Sequence, residues 1–212
     1  MKTGMNELPP IRVEVPVCAF RPYASREYQD TFPFPAPSTV YGMLLSFLGV
    51  RRENKRLHLG VEMALAVDRL PAGSKVFRKL RRGPDLEDTR PDYQDLLIDL
   101  RLWIWLRKGE DQTNPPLSVR MFEALAKPEM IEGRCGGLSL GESSYLVDRI
   151  HADRTPPDAL IYLVPDEAGF YSFPVWVDHQ DSRNTIHKRF SIGEAEPVQD
   201  GLAKAWFKIG VP

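Results

Sequence analysis

The sequence predicts an α+β domain of ferredoxin-like element order, β-α-β-β-α and then a strand, followed by a smaller β-rich C-terminal part. Three observations carry this. Val13, Val15, Val17 and Ala19 alternate with Arg12, Glu14 and Pro16, the period of a half-buried strand. Val40, Met43, Leu44, Phe47 and Leu48 recur at the spacing of one helical face. Leu96, Ile98, Leu100, Leu102, Ile104 and Leu106 form the strongest strand, with Asp99, Arg101 and Arg107 opposite.

In order, residues 1–10 read as a loosely docked leader and 12–20 as the first strand. Ser38, after Pro37, is placed to cap the first helix, and Gly49 to end it in the left-handed conformation. Gly42 is unusual, because glycine inside a helix costs roughly 1 kcal/mol against alanine. That cost is tolerable where the helix backbone lies close to a sheet or a ligand. A polar turn at 51–56 leads to a strand at 61–67. The basic segment 75–82 reads as strand and 83–93 as an exposed hairpin tip. Pro115 and Pro116 open a helix from Leu117 to Ala126, with Val119, Phe122 and Leu125 as its core stripe. Residues 133–145 are rich in glycine and serine. A strand at 159–164 is expected to form a hairpin with 170–177, where Pro174 points to an edge or a bulge. A strand at 185–192 and an unassigned element at 202–209 close the chain. The expected division is a main domain over 1–150 and an extension over 151–212.

At 212 residues and 42% hydrophobic content the chain supports a globular core, and no apolar run approaches the ~20 residues that span a bilayer. No signal-peptide core is present at the N-terminus, and the two cysteines, Cys18 and Cys135, lie in no metal-binding pattern. The expectation is a cytoplasmic protein without zinc or other cofactor, with Cys18 packed as a small hydrophobe. The 28 basic residues balance 29 acidic ones, which argues against a protein that finds nucleic acid alone by long-range attraction. A subunit holding a short RNA inside an assembly remains compatible.

Binding chemistry concentrates at 20–41. Arg21, Tyr23, Arg26, Tyr28, Phe32 and Phe34 feed the first helix, whose opening N–H groups at Ser38 and Thr39 suit a phosphate. Cations for phosphates and flat rings for unstacked bases suit single-stranded nucleic acid. Tyr41 is placed either to stack on a base or to pack. Lys75, Arg78, Lys79, Arg81 and Arg82 form a second basic run, read either as a solvated hairpin face or as a phosphate track. Gly136 to Ser143 has phosphate-loop spacing, but Glu142 stands where lysine belongs and would repel phosphate. Ser139 between Gly137 and Gly141 matches a hydrolase nucleophile elbow, yet its polar surroundings lack the required strand and helix. Arg134, Gly136, Gly137 and Ser139 are candidates for an RNA-facing loop, with a purely structural loop as the alternative. His187 and Lys188 are the adjacent pair suited to a phosphodiester. For Trp103 and Trp105, packing under a helix or a partner is favoured over base stacking.

The stretches IRVEVPVCAF at 11–20, the Phe20–Pro22 turn and FPFPAPSTVYGMLLSFLG at 32–49 resemble the N-terminal signature of the CRISPR-associated Cas-five family of RAMP-type proteins. The resemblance implies an RRM-like, ferredoxin-like fold with a β-hairpin thumb around 79–97. It further implies an RNA-binding subunit of a type I Cascade that caps the 5′ handle of the CRISPR RNA. The implied partners are that RNA, the backbone subunit (family seven), the large PAM-reading subunit (family eight) and, indirectly, target DNA, with no membrane. One branch of the family cuts precursor RNA without metal, using a tyrosine late in the first helix and a Lys-His pair. Here Leu48 holds that tyrosine position and no Lys-His pair occurs. The expectation is a non-catalytic binder, with a metal-independent endoribonuclease as the rival.

Overall fold

The computed structural model describes residues 8–22, 28–81, 89–134 and 136–210, with Tyr28, 77–81 and 89–92 as backbone only. Strand β1 (Ile11–Cys18) buries Ile11, Val13 and Val15 as its alternation requires, but the phase changes at its end, where Cys18 is buried and Val17 only half-buried. A two-residue strand β2 (Tyr28–Gln29) precedes helix α1 (Pro37–Phe47). Then come β3 (Glu62–Val67), β4 (Ala72–Arg81), β5 (Thr89–Arg107) and helix α2 (Leu117–Ala126). The remainder is β6 (Arg149–Ala152), β7 (Ala159–Pro165), β8 (Tyr171–Trp176), β9 (Ile186–Pro197), helix α3 (Val198–Ala205) and β10 (Phe207–Lys208).

Among the described residues, ten strands join one sheet, ordered β6-β1-β5-β3-β7-β9-β8, with β2 and β4 on β5 and β10 on β3. The C-terminal strands thus continue the sheet of the N-terminal ones, and a boundary at 150 falls inside β6. Strand β6, which sequence periodicity did not isolate, pairs with the outer edge of β1.

Alternation along β5 divides two cores. Leu100, Leu102 and Ile104 face the main core with α1 and β1. Trp103 and Trp105 face the opposite core, beneath Val198, Leu202 and Trp206 in and just after α3. Ala66 and Ala64 stand directly across from these tryptophans, and their small side chains leave room for the indoles. A tryptophan buries about 150–250 Å², so each contributes roughly 4–6 kcal/mol by area. Both tryptophans therefore pack, as favoured above.

Three local expectations need correction. Helix α1 is capped by Ala36, not Ser38: Pro37 occupies the first helical position, and Ala36 accepts the N–H groups of Thr39 and Val40. Pro37 contributes no N–H, so Ser38 supplies the remaining free N–H of that turn. The core stripe of α2 is Leu117 and Met121, with Val119, Phe122 and Leu125 only half-buried. The flanking loop fixes that rotation by tethering Leu117 N–H to Asp111 Oδ2 at 2.8 Å. The strands at 159–165 and 171–176 do not pair with each other, because β9 lies between them. Pro174 is nevertheless on an edge strand beside a register shift, where its missing N–H is harmless.

The N-terminal half of β5 pairs with β4 as a long antiparallel hairpin, from Ala72 opposite Ile98 to Arg81 opposite Thr89. Where β5 exchanges β3 for β4 as its neighbour, Asp99 adopts φ +59°.

Candidate nucleic-acid interface

Helix α1 buries Val40, Tyr41, Met43, Leu44, Leu45 and Phe47, so its outward face consists of Ser38, Thr39, Gly42 and Ser46. Four small residues one turn apart leave the helix backbone open to a ligand. A Cβ on Gly42 would meet no atom within 4 Å. Above this face lies a cavity of about 560 Å³. Arg51, Arg52 and Lys55 line it from the 3₁₀ turn after α1, Arg134 from the glycine loop, and His179 from the loop after β8. Arg52 and Arg134 form no ion pair with a described carboxylate, and Arg134 lies 5.8 Å over the Phe47 ring.

The cations feel one another. Lys55 is held below the usual lysine range first by burial and then by Arg52. His179 is lowered by burial, then by Lys55 and Arg52. Beyond burial, each shift includes repulsion from neighbouring cations, opposed in part by Asp178, and an anion entering the cavity would relieve that repulsion. Lys55 is fixed by donating to Val177 O at 2.8 Å while lying 4.8 Å from the Trp176 ring. Tyr41 is buried, donates its hydroxyl to Lys55 O at 2.7 Å and meets Trp176 edge-on. Its ring packs and is not presented to a base.

A second cleft of about 340 Å³ opens on the other side of the helix start, with Thr39 and Gly141 bordering both. Phe20, Phe32, Phe173, Pro174 and His187 line it. Arg21 and Glu142 also line it, joined at 2.7 Å from Nη2 to Oε1. Gly141 is required there: at φ +90° a Cβ would come within 2.8 Å of the Ala19 carbonyl oxygen.

A family model described as CRISPR-associated protein (Cas_Cas5) matches residues 11–131. A CRISPR-associated protein Cas5 from Myxococcus xanthus (strain DK1622) is 33% identical over 198 residues, covering 89% of this chain and 90% of the relative. The chain belongs to the CRISPR-associated Cas5 family. Among solved structures, a chain titled CRISPR RNA-guided surveillance complex aligns with TM-score 0.60 at 15% identity, covering 90% of this chain and 92% of that one. Another, titled Crystal structure of Cas protein, aligns at 0.53 with 18% identity, covering 90% and 95%. At these identities the two structures share the fold of this Cas5 chain.

Of the residues singled out by sequence, Arg21, Ser38, Thr39, Tyr41, Arg134, Ser139 and His187 border the two cavities of this Cas5 protein. Gly136, Gly137 and Lys188 border neither. A Cβ on Gly137 would come within 2.9 Å of a terminal methyl of the exposed Leu146, which can swing aside. Ser139 forms an isolated bridge with Leu146, and turns follow it, so the strand-to-helix turn of a hydrolase elbow is not formed. Tyr23, Arg26 and Arg82 lie outside the described residues, and Arg78, Lys79 and Arg81 are placed in β4 by backbone alone. Sequence reading passed over Arg51, Arg52, Lys55 and His179. The run RRENKR at 51–56 was the available signal, read only as a polar turn.

Proposed function

We propose that this Cas5 chain is the non-catalytic RNA-binding subunit of a type I CRISPR Cascade. In this reading it caps the 5′ handle of the CRISPR RNA and links the backbone subunit of family seven to the large subunit of family eight. Target DNA is engaged only indirectly, and the complex works in the cytoplasm. The observation that carries the reading is the cavity over Ser38, Thr39, Gly42 and Ser46, ringed by Arg51, Arg52, Lys55, Arg134 and His179. A bare helical face admits a sugar-phosphate chain closely, and surrounding guanidinium groups neutralise its charge. The chain's near-zero net charge matches a protein that holds RNA locally.

The order β6-β1-β5-β3 is that of a ferredoxin-like, RRM-like four-stranded core, and it supports the finer fold reading. The β4–β5 hairpin is the element proposed as the thumb. Leu48, at the position of the catalytic tyrosine in the cutting branch, supports a binding role.

The test uses the full chain coexpressed with its repeat RNA. Arg52→Glu together with Arg134→Glu should weaken handle binding at least tenfold and flatten the salt slope by about 0.7 for each phosphate no longer neutralised. Unchanged binding would remove the cavity from the RNA path. Precursor RNA incubated with the protein in EDTA should stay intact; discrete cleavage would instead favour the endoribonuclease.

A further inference from the structure

Resting on the RNA-binding reading above, we infer that Trp176 and Asp178 are positioning residues for that site. From the end of β8 they clasp the turn that carries Arg51 and Arg52 and hold those two guanidinium groups at the wall of the cavity over α1. Neither is a phosphate ligand, since Trp176 is 5% exposed and Asp178 carries negative charge.

The turn has no anchor of its own. Residues 51–54 are all exposed, and the 3₁₀ turn Arg52–Asn54 buries no side chain. A single turn of this kind, with poor hydrogen-bond geometry and no core contact, belongs to the least stable parts of a fold. Its ties to the C-terminal strands run through the next two residues. Lys55 Nζ donates to Val177 O at 2.8 Å and lies 4.8 Å from the Trp176 ring. Arg56 Cζ lies 5.8 Å from the same ring, and Arg56 Nη2 donates to Asp178 Oδ2. Three successive residues, Trp176 to Asp178, thus receive two successive cations from a segment 122 residues away along the chain. An indole face attracts a cation, and the attraction grows as water is excluded.

The holding side is itself fixed. The register of β8 on β9 shifts between Pro174 and Trp176, and Val175 and Trp176 are both buried. Tyr41 meets Trp176 edge-on and donates its hydroxyl to Lys55 O, so α1 secures the turn from below. Asp178 accepts the N–H of Gln180 at 2.9 Å and that of Asp181 at 3.4 Å, which fixes its carboxylate against the loop. Labour divides accordingly. Lys55 and Arg56 are engaged in the clasp, whereas Arg52 forms no ion pair with a described carboxylate and Arg51 only a 4.0 Å surface contact with Glu53. A clasped turn presents these two arginines already ordered, so less conformational freedom is lost when RNA binds.

The experiment measures three quantities on the full-length chain and on Trp176→Leu, Trp176→Phe and Asp178→Asn: the melting curve, hydrogen exchange over residues 51–57, and the salt dependence of repeat-RNA binding. The amides of Asn54, Lys55 and Leu57 close the turn and report its opening. Trp176→Leu is expected to speed exchange there, weaken RNA binding about tenfold and flatten the salt slope by about 0.7 for each phosphate no longer neutralised. Trp176→Phe, which keeps an aromatic face for Lys55, should recover most of the affinity and slope. Asp178→Asn should act in the same direction as Trp176→Leu, and it decides the question if that variant does not fold. Mere destabilisation lowers the binding-competent fraction and leaves the slope of the folded remainder unchanged. Unaltered exchange over 51–57, or faster exchange with wild-type affinity or slope, overturns the positioning role while leaving RNA binding intact. Failure of the wild type to bind repeat RNA overturns the RNA-binding reading itself.

Discussion

Asp111 Oδ2 stands 2.9 Å from His58 Nδ1, and neither side chain reaches solvent. Arg120 Nη1, which can only donate, lies 2.7 Å from Nε2, so Nε2 is the acceptor and Nδ1 carries the proton toward Asp111. Asp111 also accepts the N–H groups of Leu117 and Thr113. It thereby serves as a remote cap for α2, whose Pro116 provides no side-chain cap.

Replacing Asp111 with alanine should therefore be costly. The buried Leu117 N–H and the Thr113 N–H would lose their acceptor and His58 Nδ1–H its carboxylate, keeping only Thr113 Oγ1 at 2.9 Å, a penalty of about 3 kcal/mol. Urea denaturation measures it. A loss under 1 kcal/mol would mean that water or rearrangement satisfies these groups, and that the cap is dispensable.

The same site makes a pH prediction. Burial lowers His58 below its ordinary value of 6.5, and the nearby Arg120 adds to the effect, against the pull of Asp111. Between the depressed folded value and 6.5 the unfolded chain binds the proton and the folded chain does not, so stability falls as pH drops through that window. Burial raises Asp111, but the bonds from Leu117 and Thr113 outweigh it and leave its pKa low, so its contribution disappears only in stronger acid. His58→Asn keeps an N–H near Nδ1 and cannot titrate. Its melting temperature should vary less between pH 7 and 5 than that of the wild type. Parallel slopes would show that His58 is not the titrating group.

Asp99 lies in β5 at φ +59° and accepts from Arg69 and from Arg101, the latter at 3.1 Å. Glycine adopts this conformation freely, whereas a β-branched residue crowds the following carbonyl. Asp99→Gly should leave stability within about 0.5 kcal/mol, since half-exposed ion pairs contribute little. Asp99→Val should cost about 1–2 kcal/mol. Equal effects of the two would show that the bend of β5 tolerates relaxation.

Much of the fold was legible in the sequence because period-two and helical periods were clean in β1 as far as Val15, in α1, and in β5 from Leu100 to Ile104. Leu96 to Leu106 announced the C-terminal half of β5, although the positive φ of Asp99 changes the phase there and buries Leu97 while exposing Ile98, and Leu117 to Ala126 gave α2 to the residue. Pairing was less legible. Nothing in Tyr171–Trp176 says that Ile186–Pro197 will insert beside Ala159–Pro165, because strand order depends on which faces need cover. The stripe of α2 was misread since Val119 and Phe122 suit a core as well as Leu117 and Met121 do. A tether to Asp111, absent from any local pattern, decides the rotation.

The site was half legible. Arg21, Ser38 and Thr39 came from the helix start, and Arg134 from the glycine loop. Arg51, Arg52 and Lys55 were hidden because a basic turn after a helix normally faces water. Only the return of Trp176 and His179 from the far end of the chain makes that turn one wall of a cavity. Tyr41 showed the converse failure, its place on the helix being compatible with either face until Lys55 O took its hydroxyl.

Cys18 offers a check on the main core. Burial pushes its thiol up to about 12, so almost no thiolate exists at pH 8. In a Cys135→Ser chain, an aromatic disulfide reagent should react only as fast as the protein unfolds. A rapid stoichiometric burst under native conditions would place Cys18 at the surface.

Gly42 separates the needs of the helix from those of the ligand. It is exposed within α1, and a side chain there would meet no protein atom within 4 Å. Gly42→Ala should therefore stabilise the chain by roughly 1 kcal/mol through helix propensity alone. Leucine has nearly the same propensity as alanine, so Gly42→Leu should keep most of that gain. Its longer side chain, however, projects into the cavity bounded by Arg52, Lys55 and Arg134. Handle binding should then fall at least tenfold while the urea midpoint rises. The opposed signs exclude misfolding as the cause of weakened binding. Wild-type affinity in Gly42→Leu would mean that the RNA backbone does not lie on this face of α1.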